Sequence, residues 1–191
     1  MNCRFCKADL NHVFVDLVNS PASNSFLTKE QLDEPETFYP LKIYVCEKCK
    51  LVQIDEYKKS DDIFDKDYAY FSSYSTSWLA HAKNYVQMMI NKLSLDSNSL
   101  VTEIASNDGY LLQYFKENNI PCIGVEPTSS TANVAKEKGI EVIEDFFGVK
   151  LANNLKKSDL ILGNNVLAHV PDINDFVQGL KIALKTSGTV T

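Results

Sequence analysis

The chain has 191 residues, 45% of them hydrophobic, and a net charge of −6. That length holds a core of ordinary size with room for a small second module, and no apolar run approaches the roughly 20 residues of a membrane span. The acidic balance argues against a general nucleic-acid binder, which needs a basic face.

The start, Met1-Asn-Cys-Arg-Phe-Cys6, is followed by no apolar h-region and does not read as a secretory signal, so a cytoplasmic protein is expected. Cys3-x-x-Cys6 and Cys46-x-x-Cys49 are two knuckles, each able to place two thiolates on one metal ion. Together they complete a closed tetrahedral zinc site, which leaves no position open for substrate and so serves folding. Disulfides do not suit a chain without a secretory signal, and a redox C-x-x-C would sit beside its own βαβ pattern. His12 reads as a surface residue rather than a ligand, and Cys122 as a small apolar side chain in a strand. A module this small is expected to need its metal. Within it, His12–Val18, Leu41–Val45 and Leu51–Ile54 read as strands, and Ser20–Pro40 as a polar, proline-bearing loop.

Asp61–Tyr74 crowds Tyr68, Tyr70, Phe71 and Tyr74 among serines and acids, with a periodicity that suits neither helix nor strand. It is either a linker whose aromatics pack between modules or a loop that covers a ligand with tyrosine hydroxyls on its polar groups. Ser77–Leu93 is a helix by pattern, with Leu79, Ala82, Val86, Met89, Ile90 and Leu93 recurring at three- and four-residue steps and His81 half-exposed.

From Leu100 the pattern alternates as an α/β domain should. Leu100–Gly109 is a strand, a tight loop and a helix start. The loop, Glu103-x-Ala105-x-Asn107-x-Gly109, has the register of an acidic-x-Gly-x-Gly-x-Gly loop with two glycines replaced. A pyrophosphate cradle needs more glycine than this. S-adenosylmethionine (SAM) has no phosphate, and small residues at Ala105 and Ser106 would let its amino-acid end approach the backbone. A helix N-terminus near Asp108–Tyr110 would face its carboxylate. Helices are expected over Tyr110–Asn118, over Ser130–Lys138 with a serine or threonine cap and an end at Gly139, over Val149–Lys156, and from Asp172. The last has Asp175 in a near capping box and Ile173, Phe176, Val177, Leu180 and Leu184 on one face. Strands are expected over Pro121–Glu126, Glu141–Glu144 and Asp159–Asn164, and a fifth opens at Gly188.

Each strand end carries a candidate. Glu126 stands where a carboxylate would accept ribose hydroxyls, though any exposed acid can end a strand. Asp145-Phe146 could take an adenine amino group and cover its ring. Asn164 through Asp172 contains His169, either a general acid or base, a donor to an oxyanion, or a structural histidine.

The combination of Cys3/Cys6/Cys46/Cys49, Asp67-Tyr-Ala-Tyr-Phe-Ser-Ser-Tyr-Ser75, Glu103–Gly109, Gly124-Val-Glu-Pro127 and Asn164–Asp172 resembles the SAM-dependent nucleotide-sugar C-methyltransferases over essentially the whole chain. The resemblance implies a small zinc-binding β-rich domain (1–60), an aromatic linker or substrate loop (61–76), and a Rossmann-like class I SAM-methyltransferase domain (77–191) lacking its C-terminal part. It implies SAM and structural zinc as cofactors and a nucleotide-linked keto sugar as substrate. SAM would be held by Glu103, Ala105, Ser106, Asn107, Gly109, Glu126, Pro127, Asp145, Phe146 and Asn164. Tyr70, Tyr74 and Tyr68 would lie at the sugar and His169 near the reacting keto or enolate oxygen. The family carries a further Glu/His motif and a whole domain after the point where this chain stops. The chain is therefore expected to be a truncated portion that binds SAM weakly and does not turn over. An O- or N-methyltransferase, or a zinc- and SAM-binding module without chemistry, are the alternative readings.

Overall fold

The computed structural model describes residues 1–64 and 68–191; Asp67, which opens the aromatic stretch named above, lies outside the described residues. The chain divides into two compact units: Met1–Ile63 with Pro171–Ile173, and Phe64–Val170 with Asn174–Thr191.

The first unit is built on an antiparallel sheet ordered β1-β2-β3, from β1 (His12–Ser20), β2 (Tyr39–Val45) and β3 (Val52–Ile54). All three strands stand where alternation places them. A short helix, α1 (Ser60–Ile63), follows. The core is slight: Cys3, Leu10 and Cys46 are buried, with Tyr44 and Leu51 against them. On β1, Val13, Phe14, Leu17 and Val18 stay exposed. Apolar burial on that scale cannot offset the ordering of sixty residues.

The second unit is a parallel five-stranded sheet ordered β6-β5-β4-β7-β8. Its strands are β4 (Val101–Ile104), β5 (Cys122–Val125), β6 (Glu141–Ile143), β7 (Ser158–Leu162) and β8 (Leu184–Val190). Its helices are α2 (Thr76–Leu93), α3 (Leu112–Glu117), α4 (Ser129–Glu137), α5 (Val149–Ala152) and α6 (Ile173–Ala183). Both faces of the sheet are covered, and β7 shows why. Leu160 and Leu162 join Val101, Phe115 and the Ala82, Val86 and Met89 stripe of α2 in one cluster. Ile161, between them, joins Ile104, Phe176 and Ala183 in another. A strand buried on both faces reads as a continuous apolar run. From β4 the chain steps outward to β5 and β6, then returns to place β7 on β4's other side. Such a reversal, at the carboxyl ends of β4 and β7, is where open α/β sheets bind ligands.

Several boundaries differ from the sequence reading. α3 begins at Leu112 rather than Tyr110, because Tyr110 and Leu111 are spent crossing into the core, where both are buried. α4 has Thr128 at its N-cap, but the side chain makes no capping bond; Glu126 Oε1 instead accepts from Thr128 N at 2.9 Å. α5 is shorter than expected, ending at Ala152. Its first N–H, on Val149, donates to Asp175 Oδ2 at 3.3 Å, so Asp175 serves α5. Val177 is exposed and does not belong to the buried face of α6. Leu184 is not on α6 but opens β8 opposite Ser158, and helix passes into strand without a loop. The strand thus starts four residues before Gly188, where a Cβ would lie 2.7 Å from Leu184 Cδ1. His81 is exposed and stacks on Trp78, ring centroids 5.1 Å apart.

Candidate functional site

In the first unit, the Sγ atoms of Cys3, Cys6, Cys46 and Cys49 all lie within 4.8 Å of one another. Cys3 to Cys49 and Cys6 to Cys46 are both 3.5 Å. A tetrahedron with metal–sulfur bonds of about 2.3 Å has edges of about 3.8 Å, so the cage suits zinc. The knuckles close alike. Lys7 N donates to Cys3 O and Lys50 N to Cys46 O, at 2.9 and 2.8 Å, and both lysines are left-handed with φ 61° and 66°. Burial opposes ionisation of Cys3, but the Cys6 amide and the Gln53 side chain override it and bring its pKa to about 6. Buried Gln53 was not foreseen as part of this centre. Its Nε2 donates to Cys3 Sγ at 3.2 Å, and its Oε1 accepts from Arg4 N at 2.8 Å. Such outer-shell donors fix a thiolate's orientation.

In the second unit, the loop after β4 explains its own motif. Ala105, Asn107 and Gly109, the three positions where the pattern places glycine, all have positive φ: 55°, 50° and 72°. Asn tolerates this region, and Ala does so at a strain of about 1 kcal/mol. Gly109 is further fixed by packing, since a Cβ there would come within 2.5 Å of Ile140 Cδ1. Ser106 is fully buried against Gly124, where a Cβ would meet its Oγ. Its hydroxyl is buried in the packing, so Ser106 offers the loop its backbone.

Near the carboxyl end of β4, Glu103 is completely buried and both its carboxylate oxygens lack a hydrogen bond of ordinary geometry. Burial pushes its pKa well above the ordinary carboxylate value; the Asn164 amide and Tyr110 phenol nearby offset this in part, while Glu126 adds to it. Asn164 Nδ2 donates to Tyr110 Oη at 3.3 Å. Tyr110, which the sequence reading assigned to the helix start, thus stands beside two of the candidate residues, Asn164 and Glu103. Glu126 directly follows β5 and is 5% exposed. Its Oε2 accepts from Asn107 N at 2.9 Å, as its Oε1 does from Thr128 N. Each oxygen retains a lone pair. Pro127 follows, half-buried. Asp145, beyond β6, is exposed and accepts from Phe146 N at 2.8 Å, and the Phe146 ring is also exposed.

The aromatic stretch is tied to this loop. Asn107 Oδ1 accepts from Ser72 N at 2.9 Å, and Asn107 Nδ2 donates to Tyr70 O at 3.1 Å. Asp108 Oδ2 accepts from Ser73 N at 3.2 Å and from Ser73 Oγ. Tyr70 and Tyr74 are exposed. Phe64 links Tyr68 to His169, with ring centroids at 5.4 Å and 6.4 Å. His169 is exposed and ends a single 3-10 turn, Leu167–His169, after β7. The candidates of the β4, β5, β6 and β7 ends therefore sit on consecutive strands of one sheet edge.

The structural comparison decides the fold. A protein of Methanococcus maripaludis described as a "putative s-adenosyl-l-methionine-dependent methyltransferase" superposes with a TM-score of 0.56 at 16% identity, over 72% of this chain and 65% of that one. The second unit has the class I SAM-methyltransferase fold. Another SAM-dependent methyltransferase, from Archaeoglobus fulgidus, gives 0.50 at 17% identity over 59% of this chain and 51% of its own. Residues 3–64 match the family model described as "Putative zinc binding domain". The chain is similar to the C-methyltransferase NovU of Streptomyces niveus, 29% identical over 190 residues, which is 97% of this chain and 45% of that protein. The resemblance to C-methyltransferases read from the sequence is borne out, and the chain spans less than half the length of this curated relative.

Proposed function

We propose that this chain carries the zinc-bearing and SAM-binding parts of a methyltransferase that acts on a ring carbon beside the keto group of a nucleotide-linked deoxysugar. The observation that carries SAM binding is Glu103, a buried carboxylate whose two oxygens lack a hydrogen bond of ordinary geometry, near the carboxyl end of β4 in a methyltransferase fold. The similarity to a C-methyltransferase favours carbon as the acceptor.

SAM supplies an electrophilic methyl group when bound. Glu103 ionises against the cofactor's positive end. Glu126, pre-aimed by the Asn107 and Thr128 amides, accepts the ribose hydroxyls. Asp145 takes the adenine amino group and Phe146 covers the ring. Ala105, Gly109 and Pro127 shape the backbone around the cofactor, and Asn164 holds its amino-acid end beside Tyr110. Tyr70, Tyr74 and Tyr68 place their hydroxyls on the sugar. His169 would donate a hydrogen bond to the keto oxygen as enolate charge develops there, while the neighbouring carbon-bound proton passes to a base that none of the residues named above supplies; the carbon then takes the methyl group and S-adenosylhomocysteine leaves.

Titration calorimetry of the zinc-loaded chain tests the reading. A nucleoside-diphosphate keto sugar binds in the presence of S-adenosylhomocysteine, and Tyr70→Phe and His169→Asn each weaken it several-fold. Sugar affinity equal in all three proteins, or no sugar binding to a chain that holds S-adenosylhomocysteine, overturns the sugar assignment.

A further inference from the structure

The loop after β4 departs from the glycine pattern at Asn107, and the structure gives that side chain a task. Its backbone N–H is held by Glu126 Oε2, and its carboxamide clamps Tyr70 O and Ser72 N. One residue therefore joins the acid at the end of β5 to the segment that presents Tyr70 and Tyr74. Asp108, next in the chain and fully buried, adds the grip on Ser73. Ser75 fixes the far end of the segment by capping α2, its side chain accepting from Trp78 N at 3.2 Å. Ser72 is buried. Tyr70 and Tyr74, by contrast, are 52% and 79% exposed, so the backbone of the segment is fixed while its phenols face outward, that of Tyr74 stacked on Phe71 with centroids 5.3 Å apart.

We infer that Asn107 is a positioning residue which couples occupancy of Glu126 to the placement of the Tyr70–Tyr74 segment, so that the cofactor must be in place before the tyrosines are set for the second substrate. The inference rests on the reading of Glu126 as the ribose acceptor. A glycine at 107 would suit the left-handed backbone, where φ is 50°, without making either clamp. Asparagine satisfies the same backbone and adds a donor and an acceptor at fixed separation. A ligand diol on Glu126 holds that carboxylate in one orientation. This holds the Asn107 amide, and with it the carboxamide that grips the strap. Coupling of this kind is reciprocal: ordering the strap first raises affinity for the ligand at Glu126.

The test is amide hydrogen exchange across residues 69–75 of the full zinc-loaded chain, with and without S-adenosylhomocysteine, in the native protein, Asn107→Gly and Asn107→Asp. Asn107→Gly keeps the loop conformation, so protection of β4 and β5 reports that the fold is intact. In the native protein the ligand slows exchange at Ser72 and Ser73. In Asn107→Gly this ligand-dependent gain is lost and affinity falls about fivefold or more, in the usual range of coupling between sites. Asn107→Asp keeps the acceptor for Ser72 N but cannot donate to Tyr70 O, and retains part of the gain. A ligand-dependent gain equal in native protein and Asn107→Gly overturns the inference. Absence of S-adenosylhomocysteine binding to the native chain overturns the cofactor reading beneath it, a separate outcome.

Discussion

Glu103 is the residue on which the proposed cofactor site turns, because a carboxylate buried this deeply is costly to keep ionised. Its folded pKa lies well above the ordinary value, so the folded state holds a proton that the unfolded chain has already released. The associated stability is complete below the unfolded carboxylate pKa and is lost as pH rises through the raised folded value. Glu103→Gln removes that dependence. In thermal melts of the free protein from pH 4 to 9, the variant is expected to gain on the native chain as pH rises; parallel curves would show that Glu103 is not the group responsible. Ala105 offers a second test. It occupies a left-handed backbone with φ 55°, and Ala105→Gly relieves strain of about 1 kcal/mol, so its melting temperature rises. A fall would mean that the Ala105 methyl contributes packing that outweighs its backbone strain. Here the sequence was readable in part. The motif register located the loop, but alternation of positive φ could be seen only at Gly109, since Ala and Asn do not announce it.

At the scale of elements, period and capping residues located every strand of both sheets, since strand burial is written in residue type. What the pattern did not contain was the junction of α6 and β8. Leu184 fits the helical stripe as well as the strand, and only pairing with Ser158 decides between them. The Tyr68–Tyr74 segment was legible as unusual but not as a strap. Its order comes from Asn107 and Asp108, 35 residues away from the serines they hold, and no local periodicity encodes such a tether. Gln53 escaped notice likewise, its contact to Cys3 spanning 50 residues. The strap's junction with α2 carries a specific expectation. Ser75→Ala removes the cap on Trp78 N and costs about 1 kcal/mol in urea denaturation. An unchanged midpoint would mean that water or the backbone caps α2 equally well.

Across the whole molecule, the two units are held by different physics. Among the described residues, the α/β unit has two apolar clusters, one on each face of its sheet. Among the described residues the β-rich unit buries three apolar side chains, Cys3, Leu10 and Cys46, and the two cysteines belong to the four-thiol cage. Chelation of zinc is therefore expected to abolish amide protection in β1–β3 while β4–β8 keep theirs; retained protection in β1–β3 would show that the sheet stands without metal. Among the described residues, no helix is long and apolar enough to cross a membrane.

The central claim is that the site beside Glu103 receives the positive end of a sulfonium nucleoside or its product. Titration of S-adenosylhomocysteine into the zinc-loaded chain tests it most directly, repeated in buffers of differing ionisation enthalpy. The account predicts saturable binding, release of protons as Glu103 ionises against the ligand ammonium, and loss of that release with weakened affinity in Glu103→Gln. Absence of binding, or binding to Glu103→Gln with the same affinity and the same proton release, would contradict it.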